Sequence, residues 1–179
     1  MLGIDFGKLR ILIVDDNPHM RRILRTLLNS LGVREVYEAE DGASGLEAFN
    51  HYAPDVILVD WAMPILDGLE LTQMIRQQDG NDNPFVPIVM LTSHSERSRV
   101  MTARDAGVTE FMVKPVSPKS LYLRLLNIVA NPRPFIKTAG YFGPDRRRNT
   151  QSNYAGTERR RGGKANAVRQ SKLGDKVSV

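Results

Sequence analysis

The sequence has no cysteine, few aromatic residues and no long apolar run. Without cysteine the chain forms no disulfide, no thiolate nucleophile and no cysteine-based zinc site. The apolar run near the N-terminus is short and follows charged residues, which fits neither a secretory signal nor a membrane span. We therefore expect a cytoplasmic protein without membrane insertion.

The charge is distributed unevenly along the chain. The net charge of the 179 residues is +5, but residues 131–179 hold 12 basic and 3 acidic side chains. Residues 1–130 therefore carry a net charge of −4. This asymmetry predicts an acidic globular domain over residues 8–130, followed by an arginine-rich tail over residues 131–179.

The first part of the chain alternates between two patterns. Short continuous apolar runs indicate buried strands, and the stretches between and after them have apolar residues at helical spacing. Helices therefore alternate with strands. An alternation of this kind predicts an α/β fold with a parallel sheet covered by helices on both faces. The predicted strands are residues 10–16, 35–39, 55–60, 87–93 and 110–114, and the predicted helices lie near residues 20–31, 41–51, 67–77, 95–106 and 117–130.

Polar residues close four of the five predicted strands. Asp15 and Asp16 close the first strand, Asp60 the third, Thr92 the fourth and Lys114 the fifth. The carboxyl ends of parallel strands form the ligand crevice of such a sheet, so we expect these side chains to converge. Three neighbouring carboxylates repel each other, and a hard cation such as Mg²⁺ would relieve that repulsion.

This set of residue types suits phosphoryl transfer. A metal ion on Asp15 and Asp16 would neutralise an incoming phosphoryl group, and Asp60 would attack it to give an aspartyl phosphate. Thr92 would donate its hydroxyl hydrogen to a phosphoryl oxygen, and Lys114 would add a positive charge. A structural role explains any one of these residues equally well, but the five together favour the chemistry.

These residues, in this order, resemble the receiver domain of two-component response regulators, most closely the stand-alone CheY-like receivers of chemotaxis. The carriers of the resemblance are ILIVDDNP, VDWAMPILDG, MLTS and FMVKP, and the match runs over residues 8–130. The resemblance implies a flavodoxin-like fold with strand order 2-1-3-4-5. It also implies a signalling protein, rather than a conventional enzyme, that takes a phosphoryl group from a histidine kinase onto Asp60 and hydrolyses it slowly at most.

The same resemblance implies further site details. The Mg²⁺ ion would bind Asp16, Asp60, the carbonyl oxygen of Ala62 and water molecules, and the Lys114–Pro115 bond would be cis. Phosphorylation would draw Thr92 inward and Phe111 would rotate behind it. Phe111 stands where tyrosine is common in the family, and Ala62 offers no polar side chain to a hydrolytic water.

The tail contains a repeated unit. Two prolines after Ala130 end the last helix and apolar periodicity then disappears, which predicts a disordered arm. Within it the pattern aromatic-x-Gly-x-acid-Arg-Arg-Arg occurs twice, 13 residues apart. Its members are Tyr141, Gly143, Asp145, Arg146, Arg147 and Arg148, and then Tyr154, Gly156, Glu158, Arg159, Arg160 and Arg161.

Each unit holds the parts that a guanine nucleotide requires. Arginine forks match guanine and phosphate oxygens, a carboxylate accepts from guanine N–H groups, tyrosine stacks, and glycine admits close backbone approach. Two units suit cyclic di-GMP, which contains two guanines and two phosphates. The layout resembles the CheY-like cyclic di-GMP effectors with an arginine-rich C-terminal extension, which act on motility. We therefore expect a protein partner such as the flagellar motor switch protein.

Three other interpretations of the chain stay open. The tail could be a solvated basic segment, or it could tether the receiver to an acidic protein or, non-specifically, to nucleic acid. Specific recognition of a nucleic-acid sequence is not expected. The receiver could also serve as a scaffold that is never phosphorylated.

Overall fold

A computed structural model describes residues 5–77, 81, 83–93, 97–138, 140–145 and 166–167 of the chain. Its main sheet has five strands, of which the first and the fourth are each two residues shorter than predicted. They are β1 (Arg10–Val14), β2 (Glu35–Ala39), β3 (Val56–Asp60), β4 (Ile88–Thr92) and β5 (Glu110–Val113). All are parallel, in the order β2-β1-β3-β4-β5, which confirms the predicted topology.

Five helices alternate with these strands, as the sequence predicts. They are α1 (Pro18–Ser30), α2 (Gly42–Tyr52), α3 (Gly68–Gln77), α4 (Arg97–Ala106) and α5 (Pro118–Ala130). Side-chain oxygens cap their first turns, since Asn17 accepts from the backbone of α1 and Ser117 from that of α5. None of the helices in the described part of the chain is long and apolar enough to cross a membrane.

The sheet has a core on each face. Successive strand residues point to opposite sides, so Ile11 and Ile13 pack with Leu24 of α1 and Leu125 of α5. Their neighbours in β1 pack on the other face, against residues of α2 and α3. Burial on both faces explains why these strands consist of continuous apolar runs.

The chain after α5 differs from the expected disordered arm. Residues 135–138 (β6, Phe135–Thr138) and 141–144 (β7, Tyr141–Pro144) form an antiparallel hairpin, and β8 (Asn166–Ala167) pairs with the other side of β6. Three aromatic rings stabilise it: Phe85, from the polar turn before β4, lies 5.3 Å from the ring centroid of Phe135 and 5.5 Å from that of Phe142. The tail is therefore apolar enough to fold over its first part.

The hairpin packs at the amino ends of β4 and β5. The buried guanidinium of Arg76, in α3, donates to the carbonyl oxygens of Pro84 (2.7 Å), Val86 (2.8 Å) and Gly107 (3.1 Å). Burial lowers the pKa of Arg76 to about 9, so the group remains charged at neutral pH. Its charge is stabilised by these carbonyl dipoles and by the ring of Phe135.

A second set of contacts fixes the outer strand β7. The Tyr141 hydroxyl donates to the carbonyl oxygen of Pro144 at 2.7 Å. A Cβ atom on Gly143 would lie only 2.8 Å from the Cα atom of Gly107, so this contact requires glycine. Arg133 donates to the carbonyl oxygens of Thr109, at 3.2 Å, and of Asp145. The hairpin thus joins the end of the sheet opposite to Asp60.

Candidate functional site

The carboxyl edge of the sheet brings together the three predicted carboxylates. Each of Asp15, Asp16 and Asp60 offers an oxygen atom, and these oxygens lie within 4.8 Å of one another. Asp15 and Asp60 are buried, while Asp16 is exposed. β1 ends at Val14, so both of the following aspartates stand in a loop rather than in the predicted strand.

Lys114 connects two of these carboxylates. Its ammonium nitrogen lies 2.9 Å from Oδ2 of Asp15 and 2.9 Å from Oδ1 of Asp60. Burial disfavours the ammonium charge, but the hydrogen bonds to Asp60 and Asp15 outweigh it and raise the pKa of Lys114. The lysine is therefore protonated and offsets part of the negative charge.

The site still carries excess negative charge. Burial raises the pKa of Asp60 and the charge of Asp15 adds to the increase, although Lys114 and the backbone of Trp61 oppose it. A divalent cation would favour the ionised form of such a cluster. The donor set of carboxylate oxygens, with one exposed member that leaves room for water, fits Mg²⁺.

The other predicted site residues lie around this cluster. Thr92 ends β4 and is buried, Phe111 is half-buried in β5 against the core, and Ala62 is exposed in the loop after β3. The Lys114–Pro115 bond is cis, as predicted. The backbone N–H of Lys114 donates to the carbonyl oxygen of Thr92 at 2.8 Å, which keeps the two strand ends together.

Sequence reasoning assigned no role to two residues between the end of β3 and the first turn of α3. A Cβ atom on Gly68 would lie 2.2 Å from the carbonyl oxygen of Asp60, which is too close. The first residue of α3 must therefore be glycine for the helix to start this near to Asp60. Ile65 is fully exposed and has a φ of +70°, a conformation that β-branched residues disfavour. The role of Gly68 could have been found from the sequence, because a glycine at the start of a helix suggests a close backbone contact. Nothing in the sequence indicates the unusual backbone angle of Ile65.

Only part of the predicted cyclic di-GMP site falls within the described residues. Tyr141, Gly143 and Asp145 lie in or directly after β7, where Tyr141 and Asp145 bond within the hairpin segment and Gly143 lies against Gly107, the residue after α4. Their role toward a ligand stays a prediction. The remaining members lie outside the described residues: Arg146, Arg147, Arg148, Tyr154, Gly156, Glu158, Arg159, Arg160 and Arg161.

A family model agrees with this geometry. The model of the response regulator receiver domain matches residues 11–126. The chain belongs to the response regulator receiver family. Members of this family are phosphoacceptors in two-component systems, interact with histidine kinases and bind Mg²⁺ at an acidic site.

Individual relatives place the chain among CheY-like receivers. It is 38% identical over 120 residues to the chemotaxis protein CheY1 of Helicobacter pylori, which covers 65% of this chain and 94% of that protein. The chemotaxis protein CheY4 of Vibrio cholerae matches with a TM-score of 0.62 and 31% identity, over 67% of this chain and 98% of that one.

A third relative bears on the metal site. The receiver domain of the sensor histidine kinase PA1611 of Pseudomonas aeruginosa, whose structure has a magnesium ion coordinated in the active site cleft, is 31% identical, with a TM-score of 0.59. The match covers 66% of this chain and 95% of that domain. The family match ends at residue 126, so the hairpin and the arginine-rich segment lie outside it.

Proposed function

We propose that the protein is a phosphorylation-controlled switch in which Asp60 accepts a phosphoryl group from a histidine kinase. The observation that carries this proposal is the bridge from Lys114 to Asp15 and Asp60, at 2.9 Å each, beside the exposed Asp16. It combines a carboxylate nucleophile, a fixed positive charge and a ligand set for a hard cation in one crevice.

Each side chain has a defined part in the transfer. A carboxylate oxygen of Asp60 forms a bond to phosphorus while the bond from phosphorus to the kinase histidine nitrogen breaks, and that nitrogen keeps the electron pair. Lys114 stabilises the charge on the phosphoryl oxygens, and the Thr92 hydroxyl donates to one of them. Asp15, Asp16, Asp60 and the Ala62 carbonyl oxygen would hold an Mg²⁺ ion, which would neutralise further charge on the phosphoryl group.

The signal then passes to the surface by packing. Thr92 follows the phosphoryl group inward, and Phe111 rotates into the space that Thr92 leaves. Phe111 is half-buried against the core, which is consistent with a residue that has two packed positions. Since phenylalanine has no hydroxyl group, its position depends on packing rather than on a hydrogen bond.

Phosphorylation by acetyl phosphate tests the acceptor directly. We expect the wild-type protein to gain one phosphoryl group in the presence of Mg²⁺, measured by intact mass. Asp60→Asn should gain none, and Asp16→Asn should react much more slowly because it loses a metal ligand. Phosphorylation of Asp60→Asn at the wild-type rate would place the acceptor elsewhere.

We propose in addition that the arginine-rich segment binds cyclic di-GMP and thereby controls motility through a protein partner such as the flagellar motor switch. The repeated unit and the excess of 12 basic over 3 acidic residues in residues 131–179 support this. The residue before the first arginine triplet, Asp145, is anchored, since its N–H donates to Pro134 at 2.7 Å and its carbonyl oxygen accepts from Arg133. The segment therefore leaves the receiver from a fixed point far from Asp60.

Calorimetric titration with cyclic di-GMP tests this second proposal. The full chain should bind saturably at physiological salt, whereas a chain that ends at Asp145 keeps the hairpin, lacks both arginine triplets and should not bind. Cyclic di-AMP is the control for guanine recognition. Equal binding of the two dinucleotides, lost steeply as salt is raised, would instead support a basic tether.

A further inference from the structure

Arg21 supports the loop that carries the two acidic residues after β1. Its Nη1 atom donates to the carbonyl oxygen of Asp15 at 2.8 Å, and its Nε atom lies 3.4 Å from Oε2 of Glu38 in β2. The Arg21 side chain is only 15% exposed, and its hydrogen bond to the Asp15 carbonyl group is partly buried. Arg21 thus connects α1, the edge strand and the acidic loop.

The carbonyl group that Arg21 holds belongs to the peptide between Asp15 and Asp16. The orientation of this peptide plane sets where the Asp16 backbone and carboxylate point. Asp15 has other anchors, because its carboxylate accepts from the backbone N–H of Asn17 at 2.9 Å and from Lys114 at 2.9 Å. Asp16 is exposed, so its direction depends on the backbone that Arg21 fixes.

We infer that Arg21 is a positioning residue for the Mg²⁺ site. By holding the peptide between Asp15 and Asp16, it fixes the direction of the Asp16 carboxylate. The inference rests on the proposed metal site. Groups that orient metal ligands without touching the metal commonly change metal affinity by about 10- to 100-fold. Glu38 in turn orients the guanidinium, so it belongs to the same support.

Charge and position have opposite consequences here. If Arg21 acted only as a positive charge near the carboxylates, its removal would strengthen binding of a cation. If it positions the loop, its removal weakens binding. Glu38 pairs with the guanidinium and offsets its charge, which favours the positioning effect.

Arg25 offers a matched control on the same helix. It also pairs with Glu38, but its Nη2 atom donates to the carbonyl oxygen of Val36, at 3.1 Å, instead of to the acidic loop. Replacing Arg25 therefore removes the same charge and a partner of the same Glu38, while Arg21 keeps its contact with the Asp15 carbonyl group.

The experiment is an Mg²⁺ titration followed by the fluorescence of Trp61, the one tryptophan of the chain, which is adjacent to Asp60. We expect Arg21→Gln to weaken Mg²⁺ binding about tenfold and Arg25→Gln to change it less than about twofold. Arg21→Lys should be intermediate, since lysine keeps the charge but lacks the fork that joins the carbonyl group to Glu38. Thermal unfolding without Mg²⁺ checks that the variants fold.

Two results would overturn the inference: Arg21→Gln binds Mg²⁺ as tightly as wild type or more tightly, or Arg25→Gln weakens binding equally. If Arg21→Gln does not fold, an Arg21→Lys variant that binds Mg²⁺ with wild-type affinity would overturn the inference instead. Asp16→Asn separates this inference from the metal site itself. A wild-type protein that binds Mg²⁺ no better than Asp16→Asn would refute both, whereas a normal Arg21→Gln beside a defective Asp16→Asn refutes only the positioning role.

Discussion

The guanidinium group of Arg76 lies over the ring of Phe135, with 5.1 Å between its carbon atom and the ring centroid. Arg76 belongs to α3 and Phe135 to the hairpin, so this contact joins the receiver to the segment that follows α5. Both residues are buried, and the Phe135 ring covers one face of the Arg76 charge. The hairpin is therefore part of the folded domain.

A truncation series tests the contribution of the hairpin to stability. A chain that ends at Ala130 loses Phe135 and Phe142 and exposes the face around Arg76, whereas a chain that ends at Asp145 keeps all of these contacts. We expect the shorter chain to lose at least about 3 kcal/mol of the free energy of unfolding, the usual cost of removing one buried aromatic side chain. Urea unfolding measures it, and equal midpoints for the two chains would contradict the prediction.

Two glycines of the hairpin offer a matched pair of substitutions. A Cβ atom on Gly143 would lie 2.7 Å from the Tyr141 hydroxyl oxygen and 2.8 Å from the Cα atom of Gly107, whereas one on Gly140 meets nothing within 4 Å. We expect Gly143→Ala to destabilise the protein by about 1–3 kcal/mol because the hairpin must move away from α4. Gly140→Ala should change stability by less than about 0.5 kcal/mol. Similar losses in urea unfolding of both variants would argue against the close contact with Gly107.

The sheet and the crevice could be predicted from the sequence because both leave strong local patterns. Buried parallel strands are continuous apolar runs, and Asp60, Thr92 and Lys114 each stand at the end of one. The hairpin was missed because its two four-residue strands lie in a tail whose average composition is basic and polar. The runs FIKT and YFGP are separated by two residues, a spacing that suits a hairpin, but Ala-Gly is not one of the strong turn dipeptides.

The supporting residues of the site could not be predicted in the same way. Arg21 and Arg76 both donate to backbone carbonyl oxygens, of Asp15 and Gly107 respectively. Every residue has a carbonyl group, so the sequence does not show which one an arginine will bind. In the helical pattern both arginines resemble solvated basic residues. Their burial follows only from the packing of the elements around them.

A substitution that relieves the backbone strain at Ile65 should stabilise the protein. An L-residue pays about 1–2 kcal/mol in the left-handed region, and asparagine tolerates that region better than a β-branched residue. Ile65 is fully exposed, so its side chain contributes no burial in return. We expect Ile65→Asn to raise the free energy of unfolding by about 1 kcal/mol, while Ile65→Val, which keeps the β-branch, leaves it unchanged. A loss of stability in Ile65→Asn would show that the isoleucine makes favourable contacts.

The buried carboxylate of Asp60 should cost stability at neutral pH. Burial raises its pKa in the folded protein, so the native state binds a proton more tightly than the unfolded state does. The contribution of Asp60 to stability is then fully present below the unfolded pKa and is lost as the pH rises through the folded pKa. We expect Asp60→Asn, measured without Mg²⁺, to be more stable than wild type at pH 7, and this gain should shrink as the pH falls to about 4, near the ordinary pKa of aspartate. Mg²⁺ should narrow the gap at pH 7, because it stabilises the wild-type protein more than the variant. A less stable Asp60→Asn at pH 7 would mean that the ion pair with Lys114 outweighs the cost of burial, and the carboxylate would then be a stabilising element of the fold as well as the proposed acceptor.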